Sequence, residues 1–524
     1  MRADYVIVGT GLAAVGAAKA LIEKGFKPTI LDSGKTLPGR LDSIKNKLKE
    51  VDLEDWSESE ANIITNNLLE KGNFFSIPKK LVFGSDFFIG SHAEDYKLKI
   101  EDKMVPPFSR AFGGLSNGWG AASLPISKHD ACNWPIDYKE LLYHYKEVLA
   151  DIPFSGASDA LDEEFPLLKK DISSLELSPQ DNWLINALKK GRPIQKGSYI
   201  FGQARILAQN TSNPLQQCRY CSLCESGCKY GSVYKASDSF LKWINEGKIN
   251  YIPGVIVKSY SEIEDGQVIL NFKDKNSELK KISCNKAFVA AGAVPSSRIF
   301  LESNNNKGLK MKIKTRGGYV LPVWRIKSFK NKKNLNSEPG VFIELKGGGL
   351  KNWAHVQVSS SNDLLEERLS KGFLSLPLIN IFARFILRHL VILLVNFHSN
   401  HSGRYEISLD KENDLMVTNY KSNKTFSLNL ISSFIHITRT ILPIGMIPIP
   451  FFRTNSGTYH VGASMPMKKE PKNFFETDTE GKPINIKNLH FIDSSIFPDL
   501  PGTTIGILSM ANAHRIVTNI FKNK

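Results

Sequence analysis

The pattern of apolar and polar positions divides the 524-residue chain into short apolar segments separated by polar stretches. The first segment is an apolar run at Tyr5–Val8, followed by an alanine-rich, helix-like stretch that ends near Gly25 and by a second apolar run that ends at Asp32. An apolar run, a helix and another apolar run in this order are typical of a β-α-β unit. The start of the chain therefore predicts two parallel strands joined by a helix.

Later segments predict two further groups of strands. Val255–Ser261 and Val268–Phe272 form a hairpin in this reading, and Ala287–Val294 is a buried strand that enters a helix. Near the end of the chain, a strand at Leu489–Ile492 precedes a helix at Ile505–Ile520. A group in the second half predicts one antiparallel sheet, separate from the parallel one, with strands at Val341–Leu345, His355–Ser359, Leu390–Phe397, Tyr405–Leu409 and Leu415–Asn419.

The turn between the first strand and its helix reads Gly9-x-Gly11-x-x-Ala14. Gly9 permits the tight turn, Gly11 lets a pyrophosphate approach the backbone, and Ala14 in place of a third glycine allows the helix to pack closely on the strand. The free N–H groups of the helix N-terminus would face the phosphates. Asp32 follows about 20 residues later, where a carboxylate can bind a ribose hydroxyl. The pattern predicts a dinucleotide site without deciding between FAD and NAD.

A second glycine-rich stretch, Arg110–Ala122, reads RAFGGLSNGWGAA. Four glycines within eight residues do not form a regular helix or strand, so we predict a loop whose backbone N–H groups lie near a ligand. A mobile loop tip is an uncommon place for a tryptophan, and Trp119 is therefore expected to cover something.

Composition narrows the class of protein. The chain is 42% apolar and 23% charged, as in globular proteins, and its length predicts two domains or one elaborated domain. Its net charge of +16 is compatible with a lysine-rich surface, an anionic membrane or a phosphorylated substrate. The sequence has no nucleic-acid-binding motif, so nucleic acid is not an expected partner. Because the first strand starts at residue 4 or 5, a signal peptide has no room, and we expect a cytoplasmic protein with reduced or metal-bound cysteines.

The segment Phe373–His389 is apolar but is interrupted by a proline, an asparagine and two arginines. A membrane span needs about 20 nearly uninterrupted apolar residues, so this is not one. On a helix, Arg384 and Arg388 share one side, which is typical of an interfacial helix and equally of a helix that packs on a sheet with its arginines at the rim. Together with the basic run 307–333, the segment predicts peripheral contact with the inner face of a membrane or with a lipid-linked substrate.

Four cysteines follow the spacing Cys218-x-x-Cys221-x-x-Cys224-x-x-x-Cys228. This is the spacing of a bacterial [4Fe–4S] run, with Lys229 in place of the usual proline. Four thiolates also suit zinc, although the pairs are close for the usual two-knuckle site. Three interpretations stay open at this point: an iron–sulfur cluster, a zinc site and a structural or redox-silent group of thiols.

Four stretches together resemble the glucose–methanol–choline oxidoreductase family. They are the N-terminal fingerprint, GGLSNGWGA, AFVAAGAVPSSRIFLES, and the C-terminal pair TYHVGASMPM and NLHFIDSSIFPDLPGTTIGILSMANAHRI. The resemblance implies an α/β fold with a Rossmann-type FAD-binding domain and a second, substrate domain built on an antiparallel sheet. Along this chain the FAD-binding domain would comprise residues 1–145, 216–315 and 456–524, and the substrate domain residues 146–215 and 316–455. The match is poor in 151–215 and 316–455, where the substrate is selected.

The fingerprint and the resemblance together indicate FAD and name the residues that would contact it. These are Gly9, Gly11, Ala14, Asp32, Gly114, Ser116, Asn117, Val255, Asp493, Thr504 and Ile505. His460, in Tyr-His-x-x-Gly, matches the catalytic histidine of the family. Thr504 stands where the family usually has histidine or asparagine, and a threonine does not titrate near pH 7, so His460 is left as the base.

The resemblance implies oxidation of a CH–OH group on a sugar, a sterol-like alcohol or another alcohol. A hydride would pass to the flavin, His460 would take the hydroxyl proton, and Thr504 would orient the substrate. One alternative is a flavin-dependent isomerase or epimerase without net redox. Another is a non-catalytic flavin-binding protein, an electron-transfer or membrane-associated partner with no substrate of its own. The sequence names neither the substrate nor the electron acceptor.

Overall fold

The structure is a computed structural model. It describes residues 1–51, 55–57, 59–60, 63, 81–89, 99–100, 106–169, 172–191, 199–209, 217–305, 308–329, 338–347, 349–360, 388–417, 421–450, 453–455 and 459–522. The strands in these ranges are β1 (Arg2–Val8), β2 (Thr29–Leu31), β3 (Lys99–Ile100), β4 (Tyr199–Gln203), β5 (Asn250–Ile252), β6 (Ile256–Glu262), β7 (Val268–Lys273), β8 (Leu279–Val289), β9 (Met311–Thr315), β10 (Gly318–Arg325), β11 (Val341–Gly347), β12 (Leu350–Ser360), β13 (Leu390–Asn396), β14 (Gly403–Leu409), β15 (Leu415–Val417), β16 (Lys421–Ser422), β17 (Met446–Pro448), β18 (Arg453–Asn455), β19 (Val461–Gly462) and β20 (Leu489–Phe491). The helices are α1 (Leu12–Glu23), α2 (Gly39–Lys49), α3 (Lys128–Ala131), α4 (Tyr138–Ala150), α5 (Pro179–Lys190), α6 (Ala236–Asn245), α7 (Ala293–Ser303), α8 (Phe426–Ile441) and α9 (Gly506–Ile520).

The first sheet is largely parallel and has the strand order β5-β2-β1-β8-β7-β6, with β20 also pairing with β8. The predicted β-α-β unit is confirmed, because β1 and β2 pair in parallel and α1 connects them. The predicted hairpin is also confirmed, because β6 and β7 pair antiparallel. The strands β1, β2, β8 and β20 run in the same direction, so their carboxyl ends meet at one edge, which is where ligands bind in open α/β sheets.

Helix α1 packs against α9, and this contact depends on a glycine. A Cβ atom on Gly16 would lie 2.0 Å from the carbonyl oxygen of Met510. No side chain fits at that distance, so the two backbones approach each other closely only because position 16 has none. The contact places the C-terminal helix beside the dinucleotide fingerprint.

The second sheet is antiparallel, with the order β17-β10-β13-β12-β11-β4 and with β18 pairing with β10. One face is covered by α5 and α8, whose Leu184, Leu188, Ile437 and Ile441 join a separate apolar core. On β12 the apolar side chains alternate with polar ones, and the polar side chains point away from these helices. This confirms the prediction of a substrate-type antiparallel sheet beside the parallel one.

The prediction of one antiparallel sheet was wrong in one respect. Strands β14 and β15, predicted as its members, belong to a third sheet with the order β19-β9-β14-β15-β3, in which β16 also pairs with β14. Here β14 pairs with β9, so Tyr405 lies opposite Ile313. A period-two pattern identifies a strand but not its partner, because pairing depends on contacts distant in sequence.

The boundaries of the FAD-binding and substrate domains stay a prediction.

The basic run 307–333 is not one exposed surface. Arg316 and Arg325 are buried, whereas Lys310, Lys312 and Lys327 are exposed. The pattern of charges along the sequence did not separate these two groups. Lys307, Lys330, Lys332 and Lys333 lie outside the described residues, as does Phe373–Leu387 of the predicted interfacial helix. Among the helices that the structure describes, none is both long and apolar enough to span a bilayer.

Candidate active site

A cavity of about 820 Å³ begins at the carboxyl edge of the parallel sheet and extends to the antiparallel one. From the parallel sheet it is lined by the ends of β1 and β2 and by the segments that follow β8 and β20. From the antiparallel sheet it is lined by residues of β10, β12 and β13. Its volume is in the range of sites for cofactors and small ligands.

Asp32 is buried at one end of the cavity, at the end of β2. Its Oδ2 accepts hydrogen bonds from the Thr10 hydroxyl at 2.9 Å, the Gly34 N–H at 3.0 Å and the Tyr251 hydroxyl at 3.3 Å. Burial raises the pKa of Asp32 to about 7, and these hydrogen bonds oppose that shift. Further donors, such as ribose hydroxyls, would stabilise the ionised form. Val255 lies beside this end and donates its N–H to the carbonyl of Asp32 at 2.9 Å.

The fingerprint turn leaves space for a ligand where a pyrophosphate would pass. Gly9 has a φ of +100°, and a Cβ there would lie 2.7 Å from the carbonyl oxygen of Ala290. At Gly11 a Cβ would meet no protein atom within 4 Å, so this glycine borders open space. Gly11 is also the N-cap of α1 and has no side-chain cap. The helix N-terminus therefore presents N–H groups to the cavity, as an anion site requires.

The glycine-rich loop is tied to this turn. The N–H of Gly113 donates to the Thr10 hydroxyl at 2.9 Å, and a Cβ on Gly114 would lie 3.3 Å from the Cα of Gly11. Gly114 and Ser116 line the cavity, but the Ser116 hydroxyl bonds the backbone of Gly113 and Ala236. Ser116 thus contributes the shape of the loop rather than a free hydroxyl.

Two residues predicted to contact the cofactor lie away from the cavity lining. Asn117 donates from its side-chain amide to the carbonyls of Phe112 at 2.9 Å and Gly114 at 2.8 Å, which closes the loop on itself. Ala14 is fully buried in α1. Trp119 does line the cavity, and its indole N–H donates to the carbonyl of Tyr234 at 2.7 Å.

Asp493, two residues after β20, is a buried carboxylate that lines the cavity. Its carboxylate accepts from the Gly292 N–H at 2.8 Å, the Ser296 hydroxyl at 2.5 Å and the Ser495 N–H at 2.8 Å. Burial raises its pKa in spite of these donors. The hydrogen bonds fix the ends of β8 and β20 to each other at the mouth of the cavity.

His460 and Thr504 line the far end of the cavity, together with Ile505. Burial, and then the nearby Arg316 and His355, lower the pKa of His460 well below its usual value. His460 is therefore neutral near pH 7 and able to accept a proton. Thr504 Oγ1 accepts the Leu124 N–H at 3.3 Å, which leaves its hydroxyl hydrogen to be donated elsewhere.

The structure was compared with solved structures. It matches a crystal structure of pyridoxine 4-oxidase from Mesorbium loti with a TM-score of 0.62, at 13% sequence identity, over 99% of each chain. The chain has the fold of a glucose–methanol–choline oxidoreductase. No family model and no curated protein matches its sequence. The resemblance read from four sequence stretches is thus borne out at the level of the fold.

Arg316 also lines the cavity, although the sequence identified it only as part of a basic run. Its guanidinium is buried beside the cavity and donates to the carbonyls of Gly502 at 2.7 Å and Thr503 at 2.6 Å. Its own N–H donates to the carbonyl of His460 at 3.1 Å. Arg316 therefore fixes the segments that carry His460 and Thr504 relative to each other. Burial lowers its pKa to about 9.

Sequence reasoning also missed a buried polar chain behind the cavity. His355 Nδ1 lies 2.5 Å from Glu344 Oε1, and its Nε2 lies 3.1 Å from the amide nitrogen of Gln357, which lines the cavity. Burial raises the pKa of Glu344 and lowers that of His355, so the uncharged pair is favoured. A signal was present in β12, where His355 and Gln357 alternate with buried apolar residues.

The four cysteines of the 218–228 cluster do not line the cavity. Among the described residues, no three of their sulfur atoms lie within 4.8 Å of one another, whereas carboxylates of Asp410, Glu412 and Asp414 do. The Cys228 sulfur accepts the Ser232 N–H at 3.2 Å, and burial raises the pKa of Cys218 to about 11. These sulfur positions do not support an iron–sulfur or zinc site, and a structural role fits the contacts of the cysteines.

Proposed function

We propose that this protein is an FAD-dependent oxidoreductase that oxidises the CH–OH group of a small polar alcohol. The observation that carries the proposal is a single cavity that joins a dinucleotide cradle at Gly11 and Asp32 to a neutral histidine and a threonine hydroxyl. The fold match to pyridoxine 4-oxidase supports the same class of reaction.

The residues at the parallel sheet fit FAD. Asp32 would hold the ribose of the ADP half, and the N-terminus of α1 with Gly11 and Gly114 would hold the pyrophosphate. The chemistry that bound FAD supplies is acceptance of a hydride from carbon. These residues would hold the cofactor on the parallel-sheet side of the cavity.

The other half of the reaction falls to His460 and Thr504. His460 takes the hydroxyl proton of the alcohol, because its lowered pKa keeps the imidazole neutral. Thr504 donates its hydroxyl hydrogen to the oxygen of the alcohol, since its own oxygen accepts the Leu124 N–H. Loss of a hydride and a proton converts the alcohol to an aldehyde or ketone.

The cavity wall formed by the antiparallel sheet favours a polar substrate over a sterol-like one. Polar side chains that line the cavity from this sheet are Gln357, Ser359 and Asn396, and Arg316 and Glu338 line the cavity beside it. Buried polar groups of this kind bind hydrogen-bonding substrates and disfavour analogues that lack the partner groups. Sugars and hydroxymethyl-substituted aromatic compounds, including pyridoxine, are the first compounds to test.

The test is anaerobic mixing of the purified yellow protein with a panel of alcohols. We expect loss of the visible flavin absorbance with a polar alcohol and formation of the matching carbonyl compound. His460→Asn should keep the flavin and lose the reaction. Protein that binds no flavin would refute the proposal, as would reduction by the true substrate at an unchanged rate in His460→Asn. Reoxidation of the reduced protein by oxygen or by a quinone then distinguishes the electron acceptors.

A further inference from the structure

Helix α8 exposes aliphatic side chains along one side. Leu428, Ile431, Ile435 and Leu442, just after the helix, are 67%, 55%, 44% and 51% exposed. Their spacings of three, four and seven residues place them on one stripe of a helical surface. We call these four residues the aliphatic stripe. Four large aliphatic residues in a row on solvent mark an interaction surface.

The opposite side of α8, which faces the antiparallel sheet, combines the apolar Ile437 and Ile441 with polar residues. Asn429, Ser433 and Thr440 are buried there. The Ser433 hydroxyl lies 2.9 Å from the Tyr319 hydroxyl, and the Thr440 hydroxyl donates to the carbonyl of His436 at 2.9 Å. The Ser433 hydrogen bond to Tyr319 and the burial of Ile437 and Ile441 fix this side of the helix against the sheet, so the exposure of the stripe is a property of the fold.

The stretch of sequence that contains the stripe has basic residues and no acidic ones. Residues 415–469 contain six Lys or Arg and no Asp or Glu. Arg439 lies on α8 four residues after Ile435 and so on the stripe itself, and Lys424 lies two residues before the helix starts at Phe426. Both are exposed.

Two further elements add positive charge near the end of the stripe. The last turn of α5 carries the exposed Lys189 and Lys190, and a Cβ on the next residue, Gly191, would lie 3.7 Å from Ile444. The Ile326 N–H donates to the carbonyl of Gly445 at 2.9 Å, which brings the exposed Lys327 to the same place. The end of the stripe is thus bordered by lysines from α5 and from the end of β10.

We propose that the aliphatic stripe docks this protein on the surface of an anionic lipid bilayer. An apolar stripe with lysine and arginine along it is the pattern of a helix that lies in the membrane interface, where the long basic side chains reach the headgroups. A second copy of the chain fits less well. Two stripes facing each other would bring Lys424 and Arg439 against like charges, and α8 offers no carboxylate to pair with them.

The experiment measures sedimentation of the flavin-loaded protein with vesicles of phosphatidylglycerol and phosphatidylcholine, and with vesicles of phosphatidylcholine alone. We expect binding to the first at low salt, weaker binding at high salt, and little binding to the second. The triple variant Leu428→Glu, Ile431→Glu, Ile435→Glu should lose binding by about tenfold for each residue changed.

A matched control carries the same change of charge elsewhere. Leu241→Glu, Ile263→Glu and Leu279→Glu replace three other exposed aliphatic residues and should keep vesicle binding. Circular dichroism and flavin content establish that both triple variants are folded, which the exposure of all six residues leads us to expect. Three outcomes overturn the proposal: no vesicle binding by the wild type at low salt, equal loss in both triple variants, or a wild-type dimer in light scattering that the stripe variant converts to a monomer.

Discussion

The buried carboxyl of Asp32 should make the stability of the flavin-free protein fall as the pH rises. Burial raises its pKa to about 7 in the folded chain, whereas an unperturbed aspartate has a pKa of 3.8. Between these values the native state keeps a proton that the unfolded state has lost, so each pH unit lowers the free energy of unfolding by about 1.4 kcal/mol. Over about three units the loss comes to about 4 kcal/mol.

Asp32→Asn removes this dependence while keeping the shape of the side chain. The amide oxygen of the asparagine still accepts a hydrogen bond from the Thr10 hydroxyl, and the amide group does not ionise. We expect the flavin-free variant to be more stable than the wild type by about 1–2 kcal/mol at pH 5 and by about 4 kcal/mol at pH 8. Flavin binding should change in the opposite direction, because hydrogen bonds from ribose to a charged acceptor contribute about 1.5–3 kcal/mol each.

The assay is urea unfolding of flavin-free protein between pH 5 and 8, followed by circular dichroism, with flavin affinity measured separately. Asp4→Asn, at an exposed position of β1, is the control and should follow the wild type. If the wild type and Asp32→Asn change in parallel with pH, the carboxyl is not the cause and the reasoning fails.

Four further predictions concern the cavity and the helix contact. His460→Ala should slow flavin reduction about 10²–10⁴-fold with flavin retained, and because the pKa of His460 is lowered well below 6.5, the wild-type rate should stay level from about pH 6 to 8 in stopped-flow measurements. Thr504→Val should reduce the rate by a smaller factor; an effect equal to that of His460→Ala would contradict a positioning role. Gly11→Val should release flavin without changing flavin-free stability, since no protein atom lies within 4 Å of the added Cβ, and full flavin content would disprove it. Gly16→Val should instead lower the unfolding free energy by about 1–3 kcal/mol or more, because its Cβ meets the Met510 carbonyl; unchanged urea midpoints would refute this.

Local patterns were sufficient to predict that Gly9, Gly11 and Asp32 lie together, and the structure places all three on the cavity. Gly9, Gly11 and Asp32 follow one another within a single β-α-β unit, so their spacing in sequence fixes their spacing in space. The same unit contains Thr10, whose hydroxyl joins the fingerprint to the glycine-rich loop, but its role appears only when Gly113 is folded against it. Asn117 resembled a cofactor contact and instead closes its own loop.

The sequence by itself determined the β-α-β unit, several of the later strands, and the glycine motif that lines the cavity, because these depend on side-chain periodicity and on glycines within a few residues. Only the tertiary structure decided which strands share a sheet, that Arg316 is buried between the segments of His460 and Thr504, and that the aliphatic stripe of α8 faces away from the antiparallel sheet. These depend on pairing and burial between residues far apart in the chain. The type of a charged or apolar residue does not by itself show whether the residue is buried or exposed. Only the packing of the folded chain distinguishes buried positions from exposed ones.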